Sequence, residues 1–265
     1  MMKDLQTIQF DLRQGVARIV LNRPEKGNAV NLVLATELLS VANRCAADPG
    51  VRAVLLTGAG RFFCVGGDLN HLSAVKDRIA VELRDMTSVL HAAIGRLTRM
   101  DAPIVVSLNG SAGGGGMGLA LLGDLVVAAE HARLKFAYPR LGYSADAATT
   151  YLLPRLVGLR KAQEIIFRNR EIEAREAQSL GLVTYVASTA QYAQLAEDLA
   201  RELAQGPSRA FGMVKRLLAE SFNTGLEAQM EMEATSLVTA ATSPEGIEGL
   251  DSFVNKRKPL FCVTD

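Results

Sequence analysis

Four consecutive glycines, Gly113 to Gly116, are the first residues whose arrangement suggests chemistry. A short β-branched apolar run at 104–108 precedes them, Asn109-Gly110 breaks it, and an apolar helix start at 117–122 follows. Glycine costs conformational entropy, so such a run needs a reason. One is close approach of bare backbone to a ligand, since free N–H groups at a helix start stabilise negative charge. The other is tight packing of helix on strand. Three kinds of site use such a loop. A phosphate-binding P-loop needs Lys and Ser/Thr after the last glycine, and Met117-Gly118 supply neither. The dinucleotide pattern G-x-G-x-x-G is present at Gly113, Gly115 and Gly118, with 125–129 as the next strand and Glu130 as the ribose acid; a glycine run satisfies that pattern cheaply. An oxyanion hole uses backbone N–H groups facing a developing negative oxygen, and it asks for a second donor elsewhere.

That second donor is available. A strand at 53–57 runs into Gly58-Ala59-Gly60-Arg61-Phe62-Phe63-Cys64-Val65-Gly66-Gly67-Asp68-Leu69, and a helix is expected next. Two strand–glycine loop–helix units about fifty residues apart can present two N–H groups to one carbonyl oxygen. A lone carboxylate, Asp146, stands among small and apolar neighbours, where it is either a helix N-cap or a chemical group. The polar loop Asn22 to Asn28 carries two cations, Arg23 and Lys26, and reads as a solvated turn or a phosphate contact.

The elements that must hold these loops alternate. Strands at 8–10 and 16–21 form a hairpin turned at Arg13-Gln14-Gly15, a helix spans 32–47, and Asp48-Pro49-Gly50 ends it. Residues 75–99 are broadly helical, their first part suited to a mobile lid or specificity segment. Strands are expected at 125–129 and 134–136. Helices follow at 160–167, 174–180, 190–205, 208–221 and 226–242, and Ser243-Pro244 opens a last one. The pattern is α/β over 1–204 and all-helical over 205–265.

Composition narrows the partners. The chain has 265 residues, 49% of them hydrophobic, and a net charge of +1, which gives no basic footprint for nucleic acid. No run of apolar residues is long enough for a membrane span, and the charged N-terminus does not read as a signal peptide. Cys45, Cys64 and Cys262 are widely spaced, as are His71, His91 and His131, so no metal site is expected. Reduced thiols fit a cytoplasmic protein.

Together the two glycine loops and the region of Asp146 resemble the crotonase (enoyl-CoA hydratase/isomerase) superfamily. The matching pieces are LNRPEKGNAV, FFCVGGDL, PIVVSLNGSAGGGG, Asp124, REIEAREAQSLGLV and EGIEGLDSFVNKRKPLF, which span nearly the whole chain. The resemblance implies a spiral of ββα units, a C-terminal helical region for trimer assembly, trimers stacked into hexamers, and an acyl-CoA substrate with no cofactor beyond its coenzyme A moiety. It implies Gly67 and Gly115 as the oxyanion donors. It puts Arg23 and Lys26 near the CoA phosphates, with Ala29, Val65, Asp68 and Leu69 in the matching CoA-binding segments. Phe253 and Lys256 match C-terminal residues that approach the nucleotide end in relatives.

Departures from the family pattern bear on the chemistry. Hydratases of the family carry one glutamate two residues beyond the glycine run and another in the later loop. Here the first position is Gly118, and the second, around Tyr138-Pro139-Arg140, holds no acid. Asp146 falls where ring-modifying isomerases of the phenylacetate pathway, dienoyl- or enoyl-CoA isomerases and 4-chlorobenzoyl-CoA dehalogenase keep a catalytic aspartate, although Ala145 replaces a common proline. One carboxylate suffices for a double-bond shift. In the dehalogenase a histidine activates water, and His91 aligns with it; the other reading of His91 is a helix residue near the core. The dehalogenase also uses tryptophans to surround the ring and orient its aspartate. This chain has no tryptophan, and Tyr138 takes one such place. The expectation is therefore an isomerase, with hydratase or dehalogenase chemistry, or a CoA-binding subunit without turnover, as alternatives.

Overall fold

The computed structural model describes residues 5–261, so Cys262 lies outside the described residues. β1 (Ile8–Arg13) and β2 (Val16–Leu21) form the expected hairpin, in register from Ile8 opposite Leu21 to Arg13 opposite Val16. Gln14 and Gly15 at its tip both have positive φ, 51° and 79°, as a tight turn matched to strand twist requires. α1 (Leu32–Ala47) starts at Asn31, whose side chain accepts the Leu34 N–H at 2.9 Å.

β3 (Ala53–Gly58), α2 (Leu69–Ala74), α3 (Ile79–Arg99), β4 (Ile104–Leu108), β5 (Ala112–Gly113), α4 (Gly115–Leu121), β6 (Leu125–Ala129) and β7 (Arg133–Lys135) carry the chain through both glycine loops. α5 (Thr149–Val157), α6 (Leu159–Arg168), β8 (Glu171–Glu173), α7 (Ala174–Ser179), β9 (Tyr185–Ala187) and α8 (Tyr192–Ala204) follow. α9 (Ser208–Glu220), α10 (Leu226–Ala241) and α11 (Pro244–Val254) make the helical tail. The helix expected over 75–99 begins later. At Val75 the N–H is shared between the carbonyls of His71 and Leu72, a tight last turn that closes α2. β8 and β9, three residues each, are too short to stand out as periodic runs.

Six strands form one sheet in the order β1-β2-β3-β4-β6-β9, parallel from β2 onward. Strand order advances without reversal. There is thus no switch-point crevice of the kind a dinucleotide uses, and the G-x-G-x-x-G reading falls. Side chains alternate between two buried faces: Val54, Leu56, Ile104 and Val106 pack with α1 and α3, and Ala53, Leu55 and Val105 pack under Ala196, Ala200 and Ala204 of α8. A second sheet, β5-β7-β8, sits at the glycine run and pairs Ala112 with Leu134 and Gly113 with Lys135.

Candidate active site

Short strand-like contacts bring the two glycine loops together. Val65 N–H donates to Gly27 O at 3.0 Å, Val30 N–H to Gly66 O at 2.7 Å, and Asp68 N–H to Val30 O at 2.8 Å. On the other side, Gly113 N–H donates to Cys64 O at 3.0 Å. The segment 64–68 is therefore flanked by 27–30 and by the glycine run. Gly66 has φ of +102°, and a β-carbon there would lie 2.8 Å from the Gly113 carbonyl, so both conformation and space demand glycine. Among the described residues, neither the Gly67 nor the Gly115 N–H has an acceptor. Gly115 is the first residue of α4, where an N–H has no partner within the helix. Two unpaired donors on adjoining loops can serve as an oxyanion hole.

Asp146 stands beside this pair. Its Oδ1 lies 3.3 Å from where a Gly115 β-carbon would be. The cap reading fails: α5 begins after Ala148, and no side chain caps it. Instead the Asp146 carboxylate accepts a hydrogen bond from the Tyr138 hydroxyl. Burial, and then the Asp146 charge, push the Tyr138 phenol far above its ordinary range, so it stays a donor. Cys64, fully buried, is pushed up to about 12, chiefly by burial, and serves as inert wall.

The loop carrying Asp146 is strained. Ala147 and Ala148 both have left-handed φ, 51° and 58°. His91, on α3, holds it in place: its Nε2 accepts the Ala147 N–H at 3.2 Å. His91 is exposed rather than near the core, and in this arrangement its ring binds main chain. The Ala147 carbonyl lies 2.2 Å from where a Gly118 β-carbon would be, so main chain fills the position of the family's first glutamate.

The expected CoA contacts separate. Lys26 is exposed, and exposed Val65 and Leu69 flank Gly67. Arg23, expected near the CoA phosphates, has partners within the chain. Its guanidinium pairs with Asp68 at 2.9 Å and donates to Ala29 O, and both side chains of the pair are largely buried. Ala29 and Asp68 are buried too. Phe253 and Lys256, at the end of α11, are exposed rather than packed into the site. Two residues escaped the sequence reading. Asn28, fully buried, donates to the carbonyls of Ala59, Phe62 and Phe63 and accepts the Arg23 N–H at 2.8 Å. Asn109 accepts from Gly58 N–H and donates to Gly60 O. Both stand beside glycine, which marks a turn; a buried role was not readable from that.

The sequence model of the enoyl-CoA hydratase/isomerase family matches residues 11–263. The 1,2-epoxyphenylacetyl-CoA isomerase of Escherichia coli (strain K12) is 32% identical over 97% of this chain and 98% of its own. 4-Chlorobenzoyl coenzyme A dehalogenase-2 of an Arthrobacter species is 34% identical over 94% and 91%. Among solved structures, the enoyl-CoA hydratase of Bacillus anthracis superposes with a TM-score of 0.88 at 30% identity, covering 97% of this chain and 99% of that one. The enoyl-CoA hydratase/isomerase of Cupriavidus metallidurans CH34 gives 0.89 at 29%, covering 98% and 97%. The chain belongs to the enoyl-CoA hydratase/isomerase family and has the crotonase fold. It is an acyl-CoA enzyme of that family.

Proposed function

We propose that this enzyme is an acyl-CoA isomerase that shifts a double bond, or rearranges a ring-derived acyl group, through a thioester enolate. The observation that carries the reading is the Asp146 carboxylate beside Gly115, with the Gly118 position closed by the Ala147 carbonyl. The Gly67 and Gly115 N–H groups take up charge on the thioester oxygen, each such donor being typically worth about 3–4 kcal/mol of barrier. Asp146 removes a proton from one acyl carbon and returns it to another. Lys26 meets the CoA phosphates, and Val65 and Leu69 offer apolar surface beside the hole. The protein works as a trimer or dimer of trimers, and its two buried free thiols, Cys45 and Cys64, suit a cytoplasmic setting.

Simple hydration needs a second acid or base, and the structure supplies no carboxylate at Gly118 to act with Asp146. Dehalogenation has one observation in its favour, the place of His91 against the loop of Asp146. For that chemistry the His91 ring has to release the Ala147 N–H before it can activate water, which favours the isomerase. Conversion of a 3-enoyl-CoA, followed as conjugated thioester absorbance, tests the proposal. Asp146→Asn should lower the rate about 10²- to 10⁴-fold with acyl-CoA affinity nearly unchanged. Full turnover by that variant overturns the mechanism, halide release from a haloaroyl-CoA turns it to the dehalogenase, and binding without turnover of any enoyl-CoA leaves a CoA-binding subunit.

A further inference from the structure

β3 and β4 are central parallel strands, and such strands read as near-continuous apolar runs when both faces are covered. Here each run is broken by one polar residue near its end, Thr57 in β3 and Ser107 in β4. The two stand opposite each other in register, on the sheet face that carries Leu55 and Val105 and packs under α8. Toward the start of α8 that cover gives way to a cavity of about 510 Å³, walled by Tyr192 and Glu197 on one side and by β1 to β4 on the other. Ser107 is 4% exposed, yet among the described residues its hydroxyl has no hydrogen-bond partner. The Thr57 hydroxyl donates to Ser107 O at 2.8 Å, which leaves its lone pairs free. The Tyr192 ring packs on the Leu55 cluster, and its hydroxyl is likewise without a partner among the described residues. Buried hydroxyls are normally paired, so this cavity holds hydrogen-bonding capacity that the chain itself does not use.

We propose that the cavity is a second small-molecule site, for a neutral polyhydroxylated ligand of monosaccharide to disaccharide size. Its volume falls in the range of about 300–1,000 Å³ usual for small-ligand pockets. Sugar hydroxyls both donate and accept. They match Ser107, Thr57 and Tyr192 in the depth of the cavity and the carboxylates of Asp11 and Glu197 at its rim, while Leu55 and Val20 meet the C–H groups. The charge of the lining argues against an anion, since Asp11 and Glu197 face a single cation, Arg18, which is already paired with Glu197. Coenzyme A phosphates are therefore not the ligand here. The site is independent of the isomerase reading, because the sheet lies between it and α3, which carries His91. Its inner wall is 58–60, the root of the first glycine loop, which Asn109 ties to the end of β4.

Titration of the whole protein with D-glucose and with sucrose, read by ligand-observed NMR, tests the site. Saturable binding with Kd on the order of millimolar is expected for ligands of this size. Ser107→Ala should weaken it about 3- to 10-fold, as for the loss of one neutral hydrogen bond. Ala193→Trp, which fills the cavity from the exposed side of α8, should abolish it. Neither change enters the packed core under α8, so both variants should keep the helical content of wild type. D-Gluconate, polyhydroxylated but negatively charged, should bind more weakly than either sugar. Saturable binding of neither sugar, or binding that Ala193→Trp leaves intact, overturns the site. Gluconate binding more tightly than both sugars overturns the ligand class assigned to it.

Discussion

Gly118 shows how one backbone atom sets which side chains a centre can hold. The Ala147 carbonyl lies 2.2 Å, and Thr149 Oγ1 2.9 Å, from where its β-carbon would be. A glutamate built there has no room unless the Asp146 loop moves. Gly118→Glu should therefore not create a hydratase, and overpacking of this kind costs about 1–3 kcal/mol or more. Hydration of a 2-enoyl-CoA by the variant, with stability unchanged in urea, would show that the loop yields easily. His91 has a related role. As a neutral imidazole it accepts the Ala147 N–H, and once protonated it has no lone pair for it. His91→Gln, which keeps an acceptor, should retain much more isomerase activity than His91→Ala; equal losses in both would remove the loop-holding role. The sequence made Asp146 visible as a lone acid but could not separate cap from chemistry. That distinction rests on where the α5 turn begins, and Ala147 and Ala148 carry no local signal for left-handed backbone.

Loops become rigid here through buried side chains rather than through strand length. Asn28 satisfies the carbonyls of Ala59, Phe62 and Phe63 and fixes the approach to the first glycine loop. Asn28→Ala leaves these carbonyls without that donor, a loss of about 2–4 kcal/mol at typical costs for buried unpaired groups, measurable in denaturant. The Arg23–Asp68 pair closes the other end of the same loop, and Asp68 also accepts the His71 N–H at 3.1 Å as the N-cap of α2. Burial acts to raise the Asp68 carboxyl, but the His71 N–H and Arg23 outweigh it and hold it below its ordinary value. The sign follows from the lowered folded-state value. The stabilisation is fully present above the ordinary carboxylate range and is lost as pH falls below about 4. Stability of wild type relative to Asp68→Asn should thus shrink on acidification through that window. A difference that stays constant from neutrality to pH 3 would assign the loop's stability elsewhere. The family resemblance puts Arg23 near the CoA phosphates; its partner forty-five residues away is a tertiary fact, with no local pattern to announce it.

At the scale of the whole molecule, the strands with clear period and the long helices were legible because one face or both are buried in a continuous core. The tail was legible as helix but not as packing. α10 has no buried residue at all, α9 and α11 expose Leu218, Ile247, Leu250 and Phe253, and Phe222 follows α9, each of these five at least 60% accessible. Leu237 and Val238 of α10 are 70% and 63% exposed. The tail is nonetheless anchored to the core: Lys215 pairs with Asp124 at 2.7 Å, and Arg52 with Glu245 at 2.9 Å, so its apolar surface is held in a fixed orientation. Exposed apolar side chains in this number, on anchored helices, point to a partner surface, and a second copy is the partner always available. Light scattering at micromolar concentration should give three or six times the chain mass of 28.4 kDa. Leu237→Glu with Val238→Glu should break the assembly, because two desolvated carboxylates at an apolar contact have no compensating charge. Those side chains make no contribution to the subunit core, so the variant should keep its helical content while its mass falls. A wild-type protein that scatters as a monomer at those concentrations, with the tail folded, would mean that the apolar surface of α9 to α11 serves some other partner.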